Sequence, residues 1–186
     1  LGHPNRRPGQ GDERGNGFGV GVNGDGCATR RRIVRCVKTL LVVHHSPSPT
    51  THELLDAVLA GARDPEIEGV EVKVMPALAA TVPDVLAADG YLFGTTANFG
   101  YMSGALKYFF DTTYYQCLGA VSDRPYGLWV HGNNDTAGAV SSVRKLATGL
   151  GLVAVADPLE VTVSVDKSVR DGCYELGGTV AATLMD

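Results

Sequence analysis

KTLLVVHHSPSPTTHELLDAVLAGAR, residues Lys38 to Arg63, holds the parts from which the fold class follows. Thr39 to Val43 is a β-rich, almost uninterrupted apolar run, the pattern of a parallel strand buried on both faces. His44 to Thr51 is polar and contains Pro47 and Pro49, so the strand stops there. From about His52 to Arg63, Leu54, Leu55, Val58 and Leu59 fall on one face at helical spacing. A doubly buried strand, a short loop and an amphipathic helix make the first half of a β-α-β crossover.

The alternation continues outward. Val70 to Val74 reads as a second strand, Pro83 to Ala88 as a short helix and Gly90 to Phe93 as a third strand. A helix from about Met102 to Leu118 follows, then a strand from Tyr126 to Val130 and a helix from Thr136 to Thr148. Leu152 to Ala156 is the last strand and Lys167 to Leu184 the closing helix. Five strands, each followed by helical sequence, predict a doubly wound α/β domain with a parallel sheet and right-handed crossovers.

At 186 residues and 44% hydrophobic content the chain has material for one substantial core, expected over residues 37–186. Residues 1–36 differ in texture. Nine of the 24 glycines fall before Arg32 and spaced apolar residues are nearly absent, so this extension is expected to be disordered and outside the chemistry, with the functional chain beginning near Val34 or Val37. Gly19, Gly21 and Gly24 spell G-x-G-x-x-G there, but with no strand before and no helix after, they predict no dinucleotide site. Arg30, Arg31, Arg32 and Arg35 read as a solvated basic tail.

Charge is divided accordingly. Seven Lys and Arg stand against three Asp and Glu up to Cys36, and nine against seventeen beyond it, so the body is acidic. An acidic body repels nucleic acid and anionic lipid, and neither is an expected partner. Cys27, Cys36, Cys117 and Cys173 lack the close pairing of zinc or redox sites and are expected to be reduced thiols. No apolar run approaches the about 20 residues that span a bilayer, and a cytoplasmic location is the expectation.

In an open parallel sheet, ligands bind beyond the carboxyl ends of the strands where strand order reverses. Three chemically rich loops occupy that edge: His44 to Thr51, Gly94 to Tyr101 and His131 to Asp135. The first offers Ser46, Ser48, Thr50 and Thr51 ahead of a helix, a set suited to phosphate without Lys or Arg. Pro47 and Pro49 each remove a backbone donor from it, and Thr50 or Thr51 also suits a plain N-cap. The second, Thr95, Thr96, Ala97, Asn98, Phe99, Gly100 and Tyr101 after Gly94, combines free backbone, aromatic faces and an amide, as a planar heteroaromatic ring requires. Phe99 and Tyr101 equally suit packing against the next helix. In the third, His131, Gly132 and Asn133 would meet such a ring's polar edge.

Gly94 to Asp111, GTTANFGYMSGALKYFFD, resembles the signature of flavodoxin-family NAD(P)H:quinone oxidoreductases and related FMN-dependent reductases at Gly94, Thr95, Phe99, Gly100, Met102, Ser103, Lys107, Phe109 and Asp111. The loop His45 to Thr51 is similar to that family's phosphate loop. The resemblance implies a flavodoxin-like, three-layer α/β/α domain with strand order 2-1-3-4-5. It also implies FMN, with the phosphate on Ser46, Ser48, Thr50 and Thr51 and the ring between Thr95 to Tyr101 and His131 to Asn133. NADPH or NADH would be the donor and a quinone, flavin, similar small molecule or redox protein the acceptor, with no catalytic side chain. Three positions depart from the family: Thr96 stands for proline, Ala97 for threonine and Pro49 for the phosphate-loop glycine.

Other classes fit less well. His52-Glu53 begins like H-E-x-x-H, but Asp56 stands where the second His belongs; no G-x-S-x-G elbow exists; and a phosphorylation receiver's acidic cluster is absent from the first strand end. A flavodoxin-fold partner-binding module that has lost flavin is the alternative, prompted by Pro49 and Ala97. The helix Met102 to Leu118, with Phe109, Phe110, Tyr114 and Tyr115, is expected to offer a homodimer face.

Overall fold

In the computed structural model, which describes residues 37–162 and 164–185, β1 (Lys38–His44) lies inside a parallel sheet. The expected disordered extension, residues 1–36, with Cys27 and Cys36, lies outside the described residues. β2 (Val70–Pro76) pairs with one edge of β1 and β3 (Gly90–Asn98) with the other. After a two-residue strand β4 (Tyr101–Met102), β5 (Pro125–His131) pairs parallel with β3, and β6 (Val153–Ala154) and β7 (Leu159–Val161) both pair with β5. The order β2-β1-β3-β5-β6 is the expected doubly wound arrangement, with the reversal between β1 and β3.

Strand alternation divides the core in two. Leu41, Val43, Phe93, Leu128 and Val130 face α3 (Gly104–Cys117) and α4 (Ala137–Gly149), with Val85 of α2 (Val82–Ala87) in the same layer. Leu40, Val42, Leu92 and Trp129 face α1 (Pro49–Ala62) and α5 (Lys167–Ala182), whose Leu54, Val58, Cys173 and Val180 close that side. Phe93 anchors the first layer, its ring 5.4 Å from Phe110 and 5.8 Å from a parallel Tyr91. Cys117 and Cys173 are free thiols in these cores, and burial pushes Cys173 up to about 11.

Four expectations are corrected by the chain's local chemistry. α1 begins at Pro49, not His52, because a proline at N1 lacks only an N–H that would be unbonded anyway and Ser48 supplies the cap. Gly94 to Tyr101 is not a loop: β3 runs on to Asn98 and Tyr101–Met102 folds back antiparallel, leaving Phe99-Gly100 as a two-residue turn. The last strand, expected over Leu152 to Ala156, is only Val153–Ala154, and a further strand that was not expected, β7, follows Pro158, which has no ladder donor. Phe109 and Phe110 are core residues at 1% exposure, so they form no docking face; Tyr108, Tyr115 and Leu118 are the exposed apolar residues of that region.

Candidate functional site

The first loop is organised around its cap. Ser48 has extended backbone and its Oγ accepts the Thr51 N–H at 3.3 Å, while Thr51 Oγ1 accepts the Ser48 N–H at 3.0 Å. Thr51 Oγ1 also donates to the Ser48 carbonyl at 2.9 Å and is buried, so this hydroxyl shapes the loop and is not a free donor. Thr50 and Ser46 are half-buried; Ser46 Oγ lies 3.1 Å from His44 Nδ1, and Pro49 offers no N–H. The loop is pinned to the sheet by His45 N–H to the Gly94 carbonyl at 2.9 Å and Ala77 N–H to the His44 carbonyl at 2.8 Å. Burial, with His52 and His45 nearby, holds His44 below the ordinary imidazole value, and burial does the same to His45.

In the second segment, adjacent threonines do different work. Thr95 points to the α3 side, where its hydroxyl accepts the Ser103 N–H at 3.0 Å and lies 3.1 Å from Ser103 Oγ. Ser103 in turn caps α3 by accepting the Leu106 N–H at 3.2 Å. Thr96 points to the opposite face, the one α1 covers, and its buried Oγ1 has no hydrogen-bond partner among the described residues. Such an orphan costs about 1–3 kcal/mol. Gly94 lies under Trp129, since a Cβ there would sit 2.0 Å from the indole ring. Asn98 ends the strand, and beyond it Phe99 (φ 52°) and Gly100 (φ 74°) make the turn, both left-handed, as in the hairpin type that matches strand twist. Phe99 is fully exposed and Tyr101 is 42% exposed.

The third segment comes to meet the second. Gly132 donates to the Val161 carbonyl at 2.9 Å, and a Cβ on it would lie 3.0 Å from Ala97 Cβ, so two small residues let β3 and the post-β5 loop approach. Asp135 Oδ1 accepts the Ala137 N–H at 2.9 Å and holds the start of α4. Between them lies a cleft of about 280 Å³ lined by Ala97, Phe99, Gly100, Asn133, Asn134 and Asp135. His131 is half-buried opposite Thr96 in register and, by alternation, faces the α1 side with His44 and Thr96.

The structure thus brings the second and third segments into one cleft and sets the first beside them across the β1–β3 pairing, His44 opposite Gly94. Thr95 and Thr51 lie behind this edge as supports. Asn134 and Asp135, which the sequence placed in the third loop without a role, line the cleft, and His44 stands behind Ser46. No group of three or more His, Cys, Asp or Glu side chains converges as a metal site among the described residues. No described helix is long and apolar enough to cross a membrane. What converges is a slot with an aromatic rim and amides at its edge, and on the neighbouring strand end a hydroxyl-bearing loop that leads into α1.

No protein-family model matches the chain. A flavodoxin of Aquifex aeolicus (strain VF5) is 38% identical over 72 residues, 39% of this chain and 38% of the relative, so the match spans well under half of either protein. Among solved structures, the flavodoxin of Streptococcus pneumoniae TIGR4 superposes with a TM-score of 0.66 at 19% identity, covering 78% of this chain and 99% of that one. The fold is flavodoxin-like. A flavodoxin, WrbA-like protein from Agrobacterium tumefaciens gives 0.63 at 20% identity over 78% and 96% of the two chains. The flavodiiron protein of Giardia intestinalis gives 0.66 at 18% over 80% of this chain and 36% of that one. The flavodoxin-like fold accounts for the edge at which all three segments gather, the reversal between β1 and β3.

Proposed function

We propose that this chain binds FMN across the carboxyl edge of the sheet and serves as an electron-transferring flavoprotein, accepting electrons from NADH or NADPH and passing them to a quinone, flavin or similar acceptor or to a redox protein. The observation that carries the reading is the cleft between the Phe99-Gly100 turn and Asn133 to Asp135, at the sheet edge where β1, paired with β3 through His44 and Gly94, runs on toward α1. The residues fit the group. The cleft is a slot with an exposed aromatic rim, and the edge holds a buried Thr96 hydroxyl that lacks a partner among the described residues. Similarity to a flavodoxin over 72 residues, and to a WrbA-like protein in fold, supports the same reading.

In this arrangement Ser46, Ser48 and Thr50 with the α1 N-terminus would hold the phosphate, and Phe99, Tyr101, Gly100 and Asn133 would hold the ring. When bound, FMN supplies the redox chemistry, taking up hydride or single electrons. The chain's own residues position and exclude: Thr95 and Ser103 fix the strand that carries the turn, Gly132 and Ala97 set the slot's width, and Asn133 presents an amide at its rim. No described side chain is required as nucleophile, acid or base.

Purified full-length protein loaded with FMN and then freed of unbound ligand is expected to stay yellow and to oxidise NADH or NADPH when an acceptor is supplied. A colourless protein would overturn the reading. It would favour instead a partner-binding module without flavin, which Pro49 and the internal use of the Thr51 hydroxyl support.

A further inference from the structure

The segment that would hold a phosphate contains no Lys or Arg from Thr39 to Ala62, and Pro47 and Pro49 have removed two of its backbone donors. Three of the chain's five histidines, His44, His45 and His52, fall within that same segment. The fold gathers them. His44 ends β1 on the face that α1 covers, His45 follows it, and His52 lies in the first turn of α1, a turn without an acidic residue. His44 Nδ1 stands 3.1 Å from Ser46 Oγ. On the same sheet face Thr96, 8% exposed, holds a hydroxyl without a partner among the described residues, a second mark of a group yet to be supplied.

We propose that His44, His45 and His52 are the cations of this phosphate site, so that binding a phosphomonoester such as that of FMN takes up protons and strengthens as pH falls. This rests on the flavin reading and deepens it. A neutral His44 leaves open which of Nδ1 and Ser46 Oγ donates. A cationic imidazole donates from both nitrogens, so Nδ1–H must point at Ser46 Oγ and the serine O–H is released to donate to the phosphate. His44 thus positions Ser46, while His45 and His52 add charge at a helix end that already favours anions.

Among the described residues, the surroundings do not supply that charge otherwise. Of α1's other ionisable groups near this end, Glu53 is held by Arg170 of α5 at 2.8 Å, which neutralises that arginine, and Asp56 is exposed. α5 also brings Asp166, which caps its own helix at Val169, and Lys167, paired with Asp171 at 2.6 Å. β5 brings His131, and β7 brings Glu160, which accepts from Thr136. The ends of β2 and β3, Met75-Pro76 and Gly94 to Asn98, bring none.

The sign separates this site from a cation-free one. Without the ligand, His44 and His45 lie below 6.5 and are neutral at pH 7. An adjacent dianion raises them, so affinity rises as pH falls through the raised values, until protonation of the free phosphate sets the acid limit of the rise. A cation-free loop would behave oppositely, because the free phosphate itself gains a proton near pKa ~6.

The test is fluorescence titration of the full chain with FMN and with riboflavin from pH 8.5 to 5.5, together with calorimetry at pH 7 in two buffers of different ionisation enthalpy. FMN is expected to bind about tenfold more tightly at pH 6 than at pH 8, the equivalent of one unit of pKa, with net proton uptake at pH 7. Riboflavin, which lacks the phosphate, should show neither. H44Q should reduce the pH dependence and H44Q/H45Q/H52Q abolish it; should the triple variant not fold, H44Q and the wild-type proton uptake decide. FMN affinity that is flat or weaker toward acid, absence of proton uptake, or dependence unchanged in the variants would overturn the proposal while leaving the flavin reading intact. Failure of FMN to bind at any pH would remove both.

Discussion

Phe99 occupies a backbone conformation that a large L-residue adopts at a cost of about 1–2 kcal/mol, and it does so with its ring wholly in solvent. Strain without burial is what a residue kept for contact with a ligand looks like. F99N would place Asn-Gly, the favoured pair for this turn, and is expected to raise the stability of the unliganded protein by about 1 kcal/mol in urea unfolding while weakening FMN. Unchanged stability would contradict the strain, and unchanged FMN affinity the contact. Thr95 shows why single hydroxyls were hard to assign from sequence. Five polar or small residues in a row suit a ligand loop, but once the strand continues to Asn98, alternation sends Thr95 inward to Ser103 and Thr96 to the other face. T95V strands the buried Ser103 N–H and is expected to cost about 2 kcal/mol in chemical denaturation.

At the scale of elements, the helices and the inner strands were legible because their periodicity is strong: continuous apolar runs for doubly buried strands, and Leu54, Leu55 and Val58 for the buried face of α1. Boundaries failed where a residue has two meanings. Proline ends a strand and also begins a helix, which displaced the start of α1 by one turn and hid Ser48 as its cap. The β3–β4 hairpin was missed because its turn, Phe-Gly, is not among the sequences that announce one. The closeness of α1 and α5 was invisible as well, since it rests on absent side chains. A Cβ on Gly61 would lie 1.9 Å from the Tyr174 carbonyl oxygen, and one on Gly177 would lie 2.0 Å from that of Val58. G61A or G177A must push the helices apart and is expected to lower stability by about 3 kcal/mol, read as a reduced urea midpoint; retention of the wild-type midpoint would show that the helices yield freely.

For the whole molecule, the two depressed histidines link folding to pH. In the unfolded chain they titrate near 6.5, and in the fold below it, so between those values the unfolded state binds more protons. Stability of the unliganded protein is therefore expected to be full above 6.5 and to fall as pH drops from 6.5 through the folded values. H44Q should flatten the acid side of a melting-temperature profile; an unchanged profile would clear His44 of that role. Fold class and the edge at which the three segments gather were readable because the order of strands and helices dictates both. Which side chains of that edge line the cleft was not, because it depends on which face each strand-end side chain takes.

One edge of the sheet, made by residues 44–52, 94–101 and 131–135, is where FMN is proposed to bind. Amide chemical shifts of the ¹⁵N-labelled full chain, followed through an FMN titration, test it most directly. Saturable changes concentrated in those three segments, reaching completion at one equivalent, are the expected result. No saturable change, or changes centred instead on the exposed face of α3 around Tyr108 and Tyr115, would contradict it.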